Sequence, residues 1–299
     1  MKILVTGASG MVGSALASVL EERGDRVLRL TRAGSGGGPG TVAWDPASGF
    51  LGAAALEGID AAVHLAGENI AAGRWNAAKK RRILESRVRA TRLLAQTLGR
   101  LARPPRCLVS ASAVGYYGDR GAEILREDSP PGTGFLPEVC RAWEGEAQAA
   151  AAAGMRLVLL RIGVVLSGRG GMLRRLLPLF RLGLGGKIGS GEQYMSWVTL
   201  EDLVEIVLHA LGDASLSGPV NAVTPNPVRN AEFTRTLGRV LRRPTFFGVP
   251  APLARLALGE MADALLLSSA RVEPAALART SFRFRHPLLE PALRRLLGS

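Results

Sequence analysis

A glycine-spaced turn near the N-terminus constrains the fold of this chain more than any other feature. It follows a short apolar run at residues 2–6 and opens a helical pattern over residues 11–23. Its glycines, Gly7, Gly10 and Gly13, have the spacing G-x-x-G-x-x-G. In such a turn the first glycine permits the bend, the second lets a pyrophosphate approach the backbone, and the third lets the helix pack on the strand. The pattern predicts a dinucleotide site, because a helix N-terminus offers free N–H groups to phosphate.

Strand and helix patterns alternate through the first half of the chain. The run at 157–161 is almost continuously apolar, which is typical of a strand buried on both faces of a parallel sheet. The alternation predicts an α/β fold with a doubly wound parallel sheet, the architecture of the NAD(P)-binding Rossmann fold. The predicted strands are 26–30, 61–65, 107–110 and 157–161, the predicted helices are 75–100 and 136–153, and a loop rich in glycine and serine is predicted at 34–40.

The second half of the chain has a different pattern. Residues 169–191 are rich in glycine and are predicted to be mostly loop. A predicted helix at 201–211 and strand at 219–223 follow, and from about residue 228 the pattern is of helices broken by prolines. We therefore predict a Rossmann domain with a smaller, mostly helical lobe beside its sheet. The Rossmann domain spans residues 1–167 and is completed by about 195–224, and the lobe spans 168–194 and 225–299.

The end of the second predicted strand distinguishes NAD from NADP. An acidic residue there binds the ribose 2′-hydroxyl of NAD, whereas an arginine suits the 2′-phosphate of NADP. This chain has Thr31 and Arg32 at that place, with neither Asp nor Glu. We predict NADP as the cofactor. The alternative interpretation is that Arg32 is a solvated loop residue.

The chain resembles the extended short-chain dehydrogenases/reductases. More narrowly, it is similar to an atypical group called epimerase family proteins or nucleoside-diphosphate-sugar epimerases, which carry a C-terminal helical domain of unknown function. The motifs that carry this resemblance run through nearly the whole chain: TGASGMVG from Thr6, HLAGENI from His64, SASAVGYYG from Ser110, LRIGVVLS from Leu160, SWVTLEDL from Ser196 and GEMADALLL from Gly259.

The resemblance implies a set of cofactor contacts. They lie in the glycine turn, at the end of the second strand, after the strand at 61–65, on the helix that follows, and on two later strands. The implied NADP contacts are Gly7, Ser9, Gly10, Met11, Val12, Gly13, Thr31, Arg32, Leu65, Ala66, Gly67, Glu68, Arg87, Ser110 and Val165.

The catalytic pattern of that superfamily is altered in this chain. Its active members use a serine, and a tyrosine whose pKa is lowered by the lysine of Y-x-x-x-K. Ser112 lies where the serine is expected, but the tyrosine and lysine positions hold Cys140 and Glu144. A carboxylate raises the pKa of a neighbouring acid, so Glu144 cannot replace the lysine.

Two interpretations follow from the altered pattern. In one, Tyr117 or its neighbour Tyr116 supplies the proton with help from Cys140 or Glu144, and the protein is an NADP-dependent oxidoreductase or epimerase acting on a carbonyl or hydroxyl. Tyr117 equally matches a tyrosine–glycine pair that shapes the pocket. In the other interpretation, the protein is a non-catalytic NADP-binding regulator or redox sensor.

The resemblance also points to a substrate segment. Residues 189–198 are similar to the segment that closes over the sugar-nucleotide, and Gln193, Ser196 and Trp197 are predicted ligand contacts. The alternative is a structural crossover loop. No metal site is predicted, because the three histidines lie far apart in the sequence.

Composition limits the remaining functional classes, which are nucleic-acid-binding, disulfide-rich and membrane proteins. The 38 Lys and Arg residues against 25 Asp and Glu give a net charge of +13, almost all of it from arginine. Nucleic acid remains a minor hypothesis, because no aromatic residues interleave the basic clusters. Two cysteines are too few for a disulfide framework. No apolar stretch reaches about 18 residues, so we expect a cytoplasmic protein with a small-molecule substrate and no membrane partner, and leave an oligomer open.

Overall fold

An eight-stranded sheet organises the fold in the computed structural model, which describes residues 1–32 and 38–298. The strands are β1 (Lys2–Thr6), β2 (Arg26–Arg32), β3 (Thr41–Asp45), β4 (Phe50–Leu51), β5 (Ala61–His64), β6 (Cys107–Ala113), β7 (Ile124–Leu125), β8 (Arg156–Ile162), β9 (Val164–Ser167), β10 (Tyr194–Met195), β11 (Trp197–Thr199), β12 (Gly218–Ala222), β13 (Val228–Arg229) and β14 (Arg271–Val272). The central sheet has the order β12-β8-β6-β5-β1-β2-β3-β4, and its neighbours are parallel except β3 and β4. The predicted α/β fold is confirmed.

Helices cover both faces of this sheet. They are α1 (Met11–Glu22), α2 (Ala77–Gly99), α3 (Phe135–Ala152), α4 (Gly171–Arg181), α5 (Leu200–Gly212), α6 (Asn230–Leu241), α7 (Ala251–Leu258), α8 (Glu260–Ala262), α9 (Ala275–Ala278) and α10 (Leu289–Leu297). Helices α1 and α5 pack on one face, and α2 and α3 pack on the other. In α1, Leu16, Ala17 and Leu20 recur at helical spacing and are buried. The Asn76 side chain caps α2 by accepting the Lys79 N–H at 2.8 Å.

The strand order reverses between β1 and β5. From β1 the chain places β2, β3 and β4 on one side, while β5, β6, β8 and β12 lie on the other. In open α/β sheets, ligands bind at such a point, outside the carboxyl ends of the strands. The glycine turn follows β1 and residues 65–68 follow β5, so both predicted cofactor segments meet at this edge.

The C-terminal helices form a separate core. Leu173 and Phe180 of α4 pack there with Phe233 and Leu237 of α6. This core lies beside the carboxyl edge of the sheet, where β9 pairs with β11. The predicted boundaries between Rossmann domain and lobe stay a prediction. Across the described residues, no helix combines the length and apolar character needed to cross a membrane.

The loop predicted over 169–191 is wrong for 171–181, which form α4 with Pro178 inside it. Leu173, Leu177 and Phe180 bury one face of this helix, and their helical spacing outweighs the flanking glycines and the N–H group that proline lacks. Of the loop predicted at 34–40, residues 34–37 lie outside the described residues.

The packing of α2 generates a stability prediction. Leu94 is fully buried between α2 and the sheet. We expect Leu94→Ala to lower the free energy of unfolding by about 2–5 kcal/mol, because the substitution leaves a cavity. Urea denaturation measures this change. Gln96→Ala, at an exposed position of the same helix, is the control and should change stability by less than about 0.5 kcal/mol. Equal effects of the two substitutions would contradict the assigned packing.

Candidate cofactor and substrate site

The glycine turn has no room for a side chain at Gly7 or Gly13. Gly7 has a φ of +67°, and a Cβ atom there would lie 2.9 Å from the Leu65 carbonyl. A Cβ atom at Gly13 would lie 2.2 Å from the Gly7 oxygen. Helix α1 begins after Gly10 with no side-chain cap and no acidic residue in its first turn. The turn therefore leaves the N-terminal N–H groups of α1 open to an anion.

Three polar side chains align the ends of β1 and β5. The Thr6 Oγ1 atom accepts the N–H groups of Leu65 and Ala66, each at 3.1 Å, and lies 2.7 Å from His64 Nδ1. Because Thr6 Oγ1 already accepts two bonds, its proton points to Nδ1, and His64 Nε2 donates to Thr91 Oγ1 at 2.9 Å. Burial, and then the charge of Arg87, lower the pKa of His64 to about 4, so the ring is neutral. His64 therefore has a structural role at the carboxyl ends of β1 and β5.

Charged side chains surround this edge. Arg32 ends β2 and is exposed, beside Thr31. The pKa of Glu68 is lowered mainly by the hydrogen bond that Lys79 Nζ donates at 2.6 Å. The charge of Arg32 lowers it a little further. The Arg87 guanidinium donates to the Glu68 carbonyl at 3.1 Å and packs against Gly67, where a Cβ atom would lie 3.1 Å from Cζ.

Arg87 is a cation without a carboxylate partner within the described part of the chain. It donates to backbone carbonyls and stacks on Trp143, with its Cζ 4.9 Å from the ring centre. Burial lowers its pKa. A desolvated cation gains stability from an anion. Ser110 lies in the middle of β6, opposite His64 at the end of β5, and its Oγ is likewise buried with no hydrogen-bond partner among the described residues. These groups and the glycine turn fit a dinucleotide.

The remaining predicted cofactor residues lie around the same corner. Ser9 is exposed in the turn, and Met11 and Val12 form the first turn of α1. The Met11 side chain packs against the start of α4, since a Cβ atom at Gly170 would lie 2.8 Å from its Sδ atom. Val165 lies in β9 and packs against the core beneath α1 and α5.

A cavity of about 740 Å³ adjoins this edge and separates it from the C-terminal helices. Such a volume suits a small-molecule ligand. Its lining is mostly apolar, with Arg87, Cys140 and Gln193 among the polar groups. Apolar residues that line it include Val114, Leu136, Val139, Met172, Leu176, Phe180, Ile188, Leu265, Leu266 and Leu267.

Of the four predicted catalytic residues, Cys140 is the one that lines the cavity. Its thiol is buried and donates weakly to the Ala113 carbonyl at 3.8 Å. Burial, and secondly the negative charge of Glu144, raise the pKa of Cys140 to about 12. The thiol therefore stays protonated at neutral pH. Ser112 is close enough to oppose this shift in pKa, although its hydroxyl donates to Glu144.

Ser112 and Glu144 belong to a buried ionic cluster. Ser112 Oγ donates to Glu144 Oε1 at 2.6 Å. Arg161 holds both oxygens of Glu144 with two hydrogen bonds of 3.0 Å. The strand register explains this cluster, because Arg161 of β8 lies directly between Ser112 of β6 and Asn221 of β12. Glu144 is thus held as the partner of a buried arginine.

The role predicted for Tyr117 as a proton donor to substrate requires correction. Its side chain is fully buried, and it does not line the cavity. Its hydroxyl accepts from Arg161 Nη1 at 3.0 Å and donates to Asn221 Oδ1 at 2.7 Å. Burial raises its pKa to about 12. The structure favours the other interpretation, in which this buried tyrosine supports the pocket without contacting the ligand.

The three predicted substrate residues have different places. Gln193 lines the cavity and donates from Nε2 to the carbonyls of Ile188 and Leu266, at 2.9 and 2.8 Å. Ser196 also lines it, and its Oγ donates to the Ala270 carbonyl at 2.8 Å. Trp197 is fully buried in the core of the C-terminal helices, so the stacking predicted for it is wrong.

Sequence reasoning missed Arg161 and Asn221 as site residues. Arg161 could have been found from the sequence, because it is a charged residue inside the almost continuously apolar run at 157–161. A buried charge on a central strand needs a partner. The identity of that partner depended on the position of α3 over β8, which no local pattern gives. No group of three histidine, cysteine or acidic residues that could hold a metal occurs in residues 1–32 and 38–298.

Residues 3–222 match the sequence model of the NAD dependent epimerase/dehydratase family. This chain belongs to that family. Residues 249–296 match a domain of unknown function, DUF1731. The predicted resemblance to epimerase family proteins is confirmed.

Relatives of the family cover the whole chain. Epimerase family protein MT2273 of Mycobacterium tuberculosis is 43% identical over 97% of this chain and 96% of its own length. The crystal structure of human epimerase family protein SDR39U1, solved with NADPH, is 36% identical, covers 100% of this chain and 99% of that chain, and superposes with a TM-score of 0.91. A nucleoside-diphosphate sugar epimerase from Corynebacterium glutamicum is 40% identical, with a TM-score of 0.83 over 100% of this chain and 58% of that chain.

The Glu144–Arg161 pair generates a stability prediction. We expect Glu144→Ala to lower the free energy of unfolding by about 3–5 kcal/mol, because it leaves a buried guanidinium without its partner. Glu144→Gln, which keeps a hydrogen-bonding group, should lose less. Glu146→Ala, which removes the surface pair with Arg92, is the control on the same helix and should lose at most about 1 kcal/mol. Chemical denaturation measures all three, and a Glu144→Ala loss no larger than the control would contradict the pairing.

The buried histidine generates a pH prediction. In the unfolded chain His64 binds a proton at its usual pKa of 6.5, but in the fold only at about 4. Between these values the unfolded state binds more protons, so stability falls as pH falls, by about 2 kcal/mol from pH 7 to pH 5. His64→Gln should remove this part of the loss. Unfolding free energies of both proteins at the two pH values test this, and identical pH dependence would contradict a neutral, buried ring.

Proposed function

We propose that this protein binds NADP(H) at the carboxyl edge of the sheet and reduces a small, largely apolar carbonyl compound in the adjoining cavity. One observation carries the proposal: the corner that fits a dinucleotide opens beside an apolar cavity whose wall contains a protonated thiol, Cys140. The phosphate-binding part of the site is intact, while the acid–base part differs from the superfamily pattern.

The choice of NADP(H) has two supports. A human relative that is 36% identical over the whole chain was crystallised with NADPH. In this chain Arg32 lies exposed at the end of β2, where a guanidinium meets an adenosine-ribose 2′-phosphate. The glycine turn would hold the pyrophosphate, and Arg87 would place a further cation at the cofactor edge.

Bound NADPH supplies a hydride to the carbonyl carbon. The chain must then supply a proton to the carbonyl oxygen. Cys140 Sγ holds a proton at the cavity wall and is the group placed to donate it. Reprotonation from solvent restores the thiol. The apolar walls exclude water around the reacting carbonyl.

The raised pKa favours reduction over epimerisation. An epimerase needs a group that first takes a proton from a hydroxyl and later returns it. Deprotonating a thiol with a pKa of about 12 at neutral pH costs about 7 kcal/mol. Cys140 carries a proton at neutral pH and can give it to the alkoxide that hydride transfer forms, because an alkoxide is a stronger base than a thiolate, but Cys140 cannot first accept a proton. Sugar-nucleotides remain among the substrates to be tested, because the family description names epimerases.

A non-catalytic NADP sensor is the second candidate. It is favoured by the place of Glu144, which occupies the position of the superfamily lysine and is held by Arg161. A fixed anion beside a weakly acidic thiol hinders proton transfer. Turnover separates the two candidates, since both bind the cofactor.

Replacing Arg32 tests the cofactor assignment. We expect Arg32→Ala to weaken NADPH binding about ten- to one-hundredfold and to leave NADH binding unchanged, because a charged hydrogen bond to phosphate contributes about 1.5–3 kcal/mol. Titration of the intrinsic fluorescence of each reduced cofactor measures this. The control is Arg29→Ala, on the same strand, whose guanidinium binds Glu21. An unchanged preference for NADPH in Arg32→Ala would contradict the assignment.

Replacing Cys140 tests the chemistry. NADPH oxidation is first screened with aldehydes, ketones and 4-keto sugar-nucleotides. On a substrate found there, we expect Cys140→Ala to lower kcat about 100- to 10,000-fold, the contribution of a positioned general acid, with NADPH affinity retained. Cys107→Ala, at the buried cysteine of β6, is the control and should keep its kcat. Full activity of Cys140→Ala would exclude the thiol, and no turnover on any class would favour the sensor.

A further inference from the structure

Two segments of the C-terminal lobe expose large apolar side chains. One is the end of α4 with the residues after it, and the other runs from Phe246 through α7. We call their exposed side chains the apolar face: Leu179, Leu182, Leu184, Phe246, Phe247, Val249, Leu253 and Leu256. Phe246 is 86% exposed and Leu256 is 74% exposed. An exposed apolar group of this size marks a contact surface.

The two segments lie side by side. The Val249 N–H donates to the Lys187 carbonyl at 2.8 Å, and the Arg243 side chain donates to the Arg181 carbonyl at 2.9 Å. A Cβ atom at Gly183 would lie 3.5 Å from Pro244. The two segments that carry the exposed residues are therefore neighbours.

The two segments that carry the apolar face are basic, and the acidic residues that adjoin them in the sequence, Glu192, Glu260 and Asp263, are paired. Residues 169–191 and 242–259 contain eight arginines and lysines and not one aspartate or glutamate. Four of these cations form no ion pair within the described residues: Arg174, Arg175, Arg181 and Lys187. Three of them, Arg174, Arg175 and Lys187, donate hydrogen bonds to backbone carbonyls. Arg255 is paired, with Asp263. An apolar surface bordered by unpaired cations complements a partner that is apolar and anionic.

We propose that the apolar face docks on the surface of an anionic phospholipid bilayer. Its phenylalanines and leucines would enter the boundary between headgroups and acyl chains, and the arginines and lysine would contact lipid phosphates. A second copy of the chain fits less well, because a symmetric contact through this face would set its cations against each other. Surface binding of this kind needs no membrane-spanning helix, and it departs from the sequence expectation of no membrane partner.

The elements that carry the apolar face also form walls of the cavity. Leu176 and Phe180 of α4 line it from inside, as do Ile188 and Arg255. A docked protein would hold these walls against the lipid surface. The inference does not depend on the proposed function, since docking requires neither cofactor nor turnover.

Co-sedimentation of the full chain with vesicles tests the proposal. We expect binding to vesicles of phosphatidylcholine with phosphatidylglycerol, little binding to phosphatidylcholine alone, and weakening by salt, which screens the charges. Phe246→Asp and Leu256→Asp should each weaken binding at least about tenfold. The matched control is Phe50→Asp, because Phe50 is 52% exposed on β4, at the far edge of the sheet.

A charge pair of variants completes the test. Arg181→Glu, within the surface, should weaken binding about tenfold or more, whereas Arg23→Glu, exposed after α1, should weaken it less than about twofold. NADPH titration of every variant should be unchanged, which shows that each is folded and separates this test from that of the proposed function.

Three results would overturn the proposal. One is the absence of sedimentation with anionic vesicles. Another is sedimentation of Phe246→Asp equal to that of the parent chain, which would mean attraction by charge alone. The third is a dimer detected by light scattering that Phe246→Asp dissociates, in a chain that does not bind vesicles, which would assign the face to a second copy.

Discussion

The fold depends on a close backbone approach between the glycine turn and the end of β5. Gly7 and Gly13 lie where a Cβ atom would collide with the Leu65 carbonyl or with Gly7 itself. Thr6 and His64 fix the same junction with buried hydrogen bonds. This junction is also the point where the strand order reverses, so the constraint that joins the two halves of the sheet also creates the cofactor corner.

A second constraint governs the chemistry. Strand register sets Ser112, Arg161 and Asn221 side by side, and α3 brings Glu144 onto Arg161. A buried guanidinium requires such a partner. The position that supplies a cation in active relatives of the superfamily is thereby used as an anion, and Cys140 is left as the proton-bearing group at the cavity. The carboxylate at position 144 is explained by its pairing with Arg161.

The sequence predicted what local patterns determine. Glycine spacing located the turn, and alternation of strand and helix signals located the parallel sheet. It failed for α4, where glycines flank a helix whose apolar spacing was present but overlooked. The Glu144–Arg161 pair and the buried hydroxyl of Tyr117 could not be predicted, because they depend on register between strands distant in sequence. The apolar face was equally hidden, since exposure of Phe246 or Leu182 is a property of the packed lobe.

The cavity and the apolar face share structural elements. Helices α4 and α7 contribute residues to the cavity lining and also expose apolar side chains to solvent. We propose that the corner after β1 holds NADPH with its nicotinamide beside the Cys140 thiol. A crystal structure of the chain with NADPH tests it most directly. We expect the pyrophosphate at the N-terminus of α1, the 2′-phosphate at Arg32, and the nicotinamide next to Cys140. Cofactor bound elsewhere, or a nicotinamide facing away from Cys140, would contradict it.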